Sequence, residues 1–321
     1  HLGPDGNYLR QFSARYFTDR HHTPWGEAID YAHPGARRLV LESALTWVRD
    51  YHVDGLRLDA THAIFDDAEG PEGTGRPHLL REIADTVRAA APDRHVLVIA
   101  EDDRNERRLV LPAGRGGLGL DAVWADDFHH ALRRAIAGDH DGYFEDYQGT
   151  AGEVAQALQR GWLYQGARSR HRGGRPRGTP SHEAALPRFV HALQNHDQVG
   201  NRALGDRLGA SVTPAVYRAA SALALLTPGT PLLFMGQEWS ASTPFLYFTD
   251  HQEPLGSAVR DGRRAEFARF AGFAGTVPDP QDPATFERSV LRWDEREEPG
   301  HAATATLYRA LLSLRSTHPA L

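Results

Sequence analysis

Three runs of the sequence each end in an acid. VDGLRLDATHAI (residues 53–64) reaches Asp59 two places after Arg57, VLVIAED (96–102) reaches Glu101, and FVHALQNHD (189–197) reaches Asp197 beside His196. In an extended run alternate side chains share a face, so Arg57 and Asp59 fall together, opposite Leu56 and Leu58. A buried cation and anion on an otherwise apolar strand are costly, so a use for them is expected. If the runs ending at Asp59 and Glu101 are adjacent strands, ~4.8 Å apart, their carboxyls come ~5–6 Å apart. At that separation one acid can protonate a leaving oxygen while the other attacks the anomeric carbon of a sugar. Arg57 is expected to keep Asp59 ionised for attack. Glu101 leaves an apolar strand and is followed by Asp102 and Asp103, so its proton affinity is expected to rise, as suits a general acid. A strand-end acid taken alone more often caps a helix or makes an ion pair; three at successive strand ends weigh more.

The elements that must position these acids follow from periodicity. Apolar residues at helical spacing predict helices over about 36–51, 78–91, 128–137, 153–163, 214–226 and 307–316. Short apolar runs predict strands at 55–60, 96–100, 122–124, 189–193 and 232–235. The run VLVIA has the composition of a strand covered on both faces. Alternation of strand and helix implies parallel strands with helical crossovers. No G-x-G-x-x-G follows a strand, which disfavours a dinucleotide-binding sheet and leaves a (β/α) barrel, with its chemistry at the C-terminal strand ends. A barrel needs eight strands and five are legible, so the chain is expected to start after the first three; HLGPDGNYL has neither an initiator Met nor the features of a signal peptide. Residues 240–300 read as an insert after the last strand, carrying a helix over 262–273. The Arg/Gly-rich stretch 166–180 lacks interleaved aromatics for stacking bases and reads as a solvated loop.

Composition narrows the chemistry. The 321 residues suffice for one large domain or two ordinary ones. There is no cysteine, which removes disulfides, thiolate nucleophiles and thiolate metal sites. All 36 basic residues are arginine, which removes Schiff-base and P-loop lysines. A net charge of −6 gives no general attraction for nucleic acid, and no apolar run approaches membrane-spanning length. His129 and His130 are adjacent, so on a helix they point about 100° apart and make a poor metal pair.

GLRLDATHAI, VIAED and LQNHDQVGN resemble the nucleophile, acid/base and third-acid motifs of the α-amylase superfamily of glycoside hydrolases. HLGP resembles the end of a further motif of that superfamily, with only its His kept, as His1. Within the superfamily, GPDGNYL, YFTDRHHTPWG, QNHDQVGNRALGDR, LLFMGQEW and TPFLYFTDHQEPLGSAVRDGRRAEF are similar to a trehalose-releasing hydrolase family. The Arg-rich loop and residues 276–300 match nothing comparable.

The resemblance implies an α/β fold, a (β/α)8 TIM barrel of which this chain carries roughly strands four to eight within one catalytic domain (1–321). It implies hydrolysis of the α-1,4 bond joining a maltooligosaccharide to a terminal trehalose, or, failing that, another α-glucan activity such as a branching enzyme or amylase. Asp59 is then the nucleophile, Glu101 the acid/base and Asp197 the binder of sugar hydroxyls. Arg57, His196 and His1 contact the nucleophile or the sugar. Trp25, Trp239 and Phe245 are candidate sugar-stacking faces, against ordinary packing. His62, Asp102 and Asn105 are candidate trehalose contacts, against local loop hydrogen bonding. No cofactor and no metal are expected, and the partners are maltooligosyltrehalose and related α-glucans. The protein is further expected to be a cytoplasmic monomer.

Overall fold

A computed structural model of the chain describes residues 8–67, 75–267 and 276–318. His1 lies outside the described residues. The strands are β1 (Phe17–Thr23), β2 (Gly26–Ile29), β3 (Gly55–Leu58), β4 (Leu97–Ala100), β5 (Ala122–Trp124), β6 (Phe189–Ala192) and β7 (Thr230–Leu232). β1 and β2 form an antiparallel pair, and β3 to β7 form one sheet in sequence order. The pairs β3–β4, β4–β5 and β5–β6 are parallel. The longer helices are α1 (Pro34–Leu45), α2 (Leu79–Ala90), α3 (Asp127–Ala137), α4 (Ala151–Arg160), α5 (Pro214–Leu225), α6 (Leu255–Phe267) and α7 (Pro299–Thr317). Parallel neighbours in sequence order, with helices between them, are the (β/α) arrangement that the alternation predicts.

The chain divides into two compact units: residues 1–125 with 164–167 and 176–190, and residues 126–163 with 168–175 and 191–321. In the first, α2 shows why its sequence folds as it does. Leu79, Leu80, Ile83, Ala84 and Val87 recur at helical spacing and are all buried. Burying each of the larger side chains is worth about 1.5–3 kcal/mol. The helix starts where His78 Nδ1 accepts the Leu80 N–H. Arg37 on α1 is 1% exposed and pairs with the buried Asp66 (2.9 Å) and with Glu82 on α2 (2.5 Å). It also donates to the carbonyls of Tyr31 and Pro77, so it ties α1, α2 and the chain following β3 together. Gly55 opens β3 because a Cβ there would meet the Leu97 carbonyl oxygen at 2.8 Å.

In the second unit, α4 begins with a reciprocal cap between Thr150 and Glu153. α3 buries Phe128, His129 and Leu132, and α7 buries Tyr308 and Leu311. His129 is fully enclosed with its Nδ1 2.6 Å from the Leu193 carbonyl; burial and the nearby Arg133 push its pKa down to about 3. Burial likewise pushes the His191 pKa down.

Several expectations are corrected. VLVIA is not covered on both faces: Val96, Val98 and Ala100 are buried, but Leu97 is 42% exposed and Ile99 is half-buried. The last strand is Thr230–Leu232, not 232–235, because Phe234 N–H turns to the Gln237 side chain and Gln237 N–H closes back on the Phe234 carbonyl. The final helix begins at Pro299, eight residues early, since proline suits the first helical position. The insert helix spans Leu255–Phe267; the rest of its expected range, 268–273, lies outside the described residues. The stretch 166–180 is more than a solvated loop. Ser169 is buried on Asp146, and Arg177 is 7% exposed, stacked over Tyr164 and donating to the Asp103 carbonyl.

Candidate active site

The register of β3 and β4 pairs Leu58 with Ala100, so Asp59 and Glu101 leave adjacent strands at the same level. Glu101 N–H continues the ladder to the Leu58 carbonyl at 2.9 Å. Asp59 is largely exposed and pairs with Arg57 Nη1. Arg57 Nη2 lies 3.3 Å from Glu101 Oε2. One guanidinium therefore serves both carboxylates. It lies over the Trp124 ring of β5, 4.3 Å from the centroid. Trp124 was not singled out as a functional residue in the sequence; its place at the end of a strand was the available signal.

The surroundings of Glu101 differ from the expectation. Its strand is apolar, but its carboxylate is not left in an apolar setting: besides Arg57, it accepts the Ala60 N–H at 2.6 Å. Ala60 reaches it through a left-handed backbone, φ 44° and ψ 47°.

The residues around this pair sort by burial. Asp102 is 1% exposed and is bound by Thr61 and by Arg104, through Nε at 2.9 Å and Nη2 at 2.6 Å. Asn105 is equally buried, with φ 58°, and its amide donates to the Tyr164 carbonyl. Both therefore follow the local hydrogen-bonding alternative and offer no open face to a sugar. His62 sits in a short turn with Nδ1 3.8 Å from Asp103 Oδ1 and stays a third exposed.

Residues 17–29 form the β1–β2 hairpin, missed in the sequence because FTDRHHT has no apolar alternation. Gly26 at φ 111° permits its turn, and Trp25 stands there 43% exposed. The hairpin is fastened to the segment that follows Asp59. His21 stacks on Phe65 (4.6 Å, 9°) and reaches Asp67 at 2.8 Å, while Arg20 reaches Asp67 at 3.1 Å.

Asp197 and His196 belong to the second unit, on a short helix (His196–Gly200) whose N-cap is Asn195. Both are about half exposed, and their side chains approach to 3.4 Å. Phe245 is half-buried; it packs on Gly200 of that helix and edge-on to Phe234 and Phe248. Trp239 is not an open stacking face. It is 2% exposed, and its indole N–H donates to the buried Glu295 at 3.0 Å. Among the described residues no group of three or more His, Cys, Asp or Glu is placed to hold a metal ion. Nor is any helix among them long and apolar enough to cross a membrane.

The sequential sheet, parallel from β3 to β6 and with carboxylates at adjacent strand ends, fits part of a (β/α) barrel of the α-amylase type. The solved structure of a protein from Salmonella typhimurium, provisionally assigned as an alpha amylase, superposes on the whole chain with TM-score 0.90 and 40% identity, over 53% of its own length. The chain is 47% identical over its full length to the malto-oligosyltrehalose trehalohydrolase of Deinococcus radiodurans, covering 52% of it. It is 44% identical over 99% of its length to that of Arthrobacter ramosus, covering 55%. No family model matches. The chain is similar along its whole length to malto-oligosyltrehalose trehalohydrolases, and it spans about half the length of the curated relatives it matches.

Proposed function

We propose that the protein containing this chain is a retaining glycoside hydrolase that cleaves the α-1,4-glucosidic bond next to the terminal trehalose of maltooligosyltrehalose, releasing trehalose and a maltooligosaccharide. The observation that carries this reading is the Arg57 guanidinium between Asp59 and Glu101 at adjacent strand ends. In the first step Asp59 attacks the anomeric carbon as Glu101 gives its proton to the departing trehalose oxygen. In the second, Glu101 takes a proton from water, which displaces Asp59 and restores both groups. Arg57 stabilises the Asp59 carboxylate before attack and as it leaves. Asp197 and His196 bind the sugar hydroxyls at the cleavage point. His1 contacts the nucleophile or the sugar at the cleavage point, Trp25 and Phe245 stack on sugars, and His62 contacts the trehalose. The β1–β2 hairpin, fastened to the chain after Asp59, supports a part for residues 16–26 in choosing the trehalose end. The reading includes no cofactor, and a cytoplasmic monomer.

The test gives the full-length protein maltooligosyltrehalose and plain maltooligosaccharide side by side. Trehalose as the preferred product, with the new reducing end first appearing in the α configuration, is expected. Preferential action on the plain oligosaccharide overturns the trehalose assignment in favour of an amylase or branching enzyme.

A further inference from the structure

We propose that Thr61 and Asp102 are positioning residues that lock the general acid Glu101 against the chain leaving the nucleophile; the inference rests on the hydrolase reading above. Thr61 is fully buried. Its N–H donates to the Glu101 carbonyl at 2.9 Å. Its hydroxyl lies 2.9 Å from the same carbonyl and 2.8 Å from Asp102 Oδ2. Asp102 is in turn pinned by Arg104, whose backbone N–H and side chain both donate to it. Two residues past Asp59, the chain is thus bonded to Glu101 itself and to the residue after it.

What the lock maintains is the bend at Ala60. A left-handed conformation is strained for an alanine and persists only where its surroundings enforce it. Here the bend aims the Ala60 N–H at the Glu101 carboxylate, 2.6 Å away. Thr61 follows directly, so its bonds to residues 101 and 102 hold the bend in place. Releasing them lets Ala60 relax, and Glu101 then loses a donor and its fixed distance from Asp59. A misplacement of about 1 Å at a reacting group can cost on the order of 100-fold in rate.

The test separates positioning of the acid from general damage by the choice of leaving group. An α-1,4-glucan needs the Glu101 proton. α-Maltosyl fluoride does not: the C–F bond breaks, the bond to Asp59 forms, and fluoride departs unprotonated. In the full-length protein, Thr61→Val is expected to slow turnover of the preferred glucan about 10- to 100-fold, with KM little changed. First-turnover fluoride release should fall less than about 3-fold, and Thr61→Ser should restore glucan turnover. Asp102→Asn should show the same split and serves if Thr61→Val does not fold. Equal losses on both substrates, or an unchanged Thr61→Val enzyme, overturn the proposal while leaving the hydrolase reading intact. A wild-type protein inert on every α-glucan and on the fluoride overturns both.

Discussion

Arg57 contacts two carboxylates at once, pairing with Asp59 through Nη1 and standing 3.3 Å from Glu101 Oε2 with Nη2. A lysine has a single charged nitrogen and cannot reproduce the fork. Arg57 Nη1 hydrogen-bonds Asp59, while Nη2 faces Glu101 as an ion pair without a hydrogen bond; losing the charged hydrogen bond is worth about 1.5–3 kcal/mol, or roughly 10- to 150-fold in rate. Arg57→Lys should therefore lower kcat/KM of the full-length enzyme by that factor, and Arg57→Met by more, with folding retained by circular dichroism. A lysine variant with wild-type kcat/KM would sink the bridging role.

The two carboxylates should be separable from binding. Asp59→Asn and Glu101→Gln are each expected to cut turnover by about 1,000-fold or more, while calorimetry shows glucan affinity within a few-fold of wild type. Near-normal turnover in either variant contradicts the assigned mechanism.

Trp239 should report on stability alone. Trp239→Phe leaves Glu295 without its indole donor, at a cost of about 1–3 kcal/mol. The denaturation midpoint should drop while KM and kcat stay within about 2-fold. A KM rise without loss of stability would return Trp239 to the sugar site.

Acid sensitivity should trace partly to His129. Its folded pKa is pushed down to about 3 from 6.5. The neutral form is thus the folded form, and this contribution to stability is present above pH 6.5. As pH falls below 6.5 the unfolded chain takes up a proton that the folded one refuses. The loss is about 1.4 kcal/mol per pH unit, on the order of 2 kcal/mol by pH 5. His129→Asn cannot take up that proton, and its urea midpoint should fall less between pH 7 and pH 5 than the wild-type midpoint does. Some slope should remain from His191, which burial shifts the same way. Parallel slopes in the two proteins would remove His129 from the account.

Much of the sheet was legible because its signals are local. The runs at 55–60, 96–100 and 122–124 are short, and each holds a strand, Gly55–Leu58, Leu97–Ala100 and Ala122–Trp124. The β1–β2 hairpin was not legible, because FTDRHHT carries no apolar face and is held by its turn and by contacts to Phe65 and Asp67. LLFM looked as apolar as any strand, yet its end is turned aside by one side chain, Gln237. Trp239 and Asn105 lie beside site motifs in the chain, but position in the chain does not reveal which way a side chain faces.

The sequence by itself determined which acids stand at the ends of the first two sheet strands and that Arg57 shares a face with Asp59. Both follow from residue type and the two-residue period of an extended chain. Only the tertiary structure decided that Leu58 and Ala100 pair, that Arg57 reaches Glu101 as well, and that Thr61 and Asp102 close beneath them. Each of those facts joins residues some forty positions apart. Packing and register set such distances, and no local pattern encodes them.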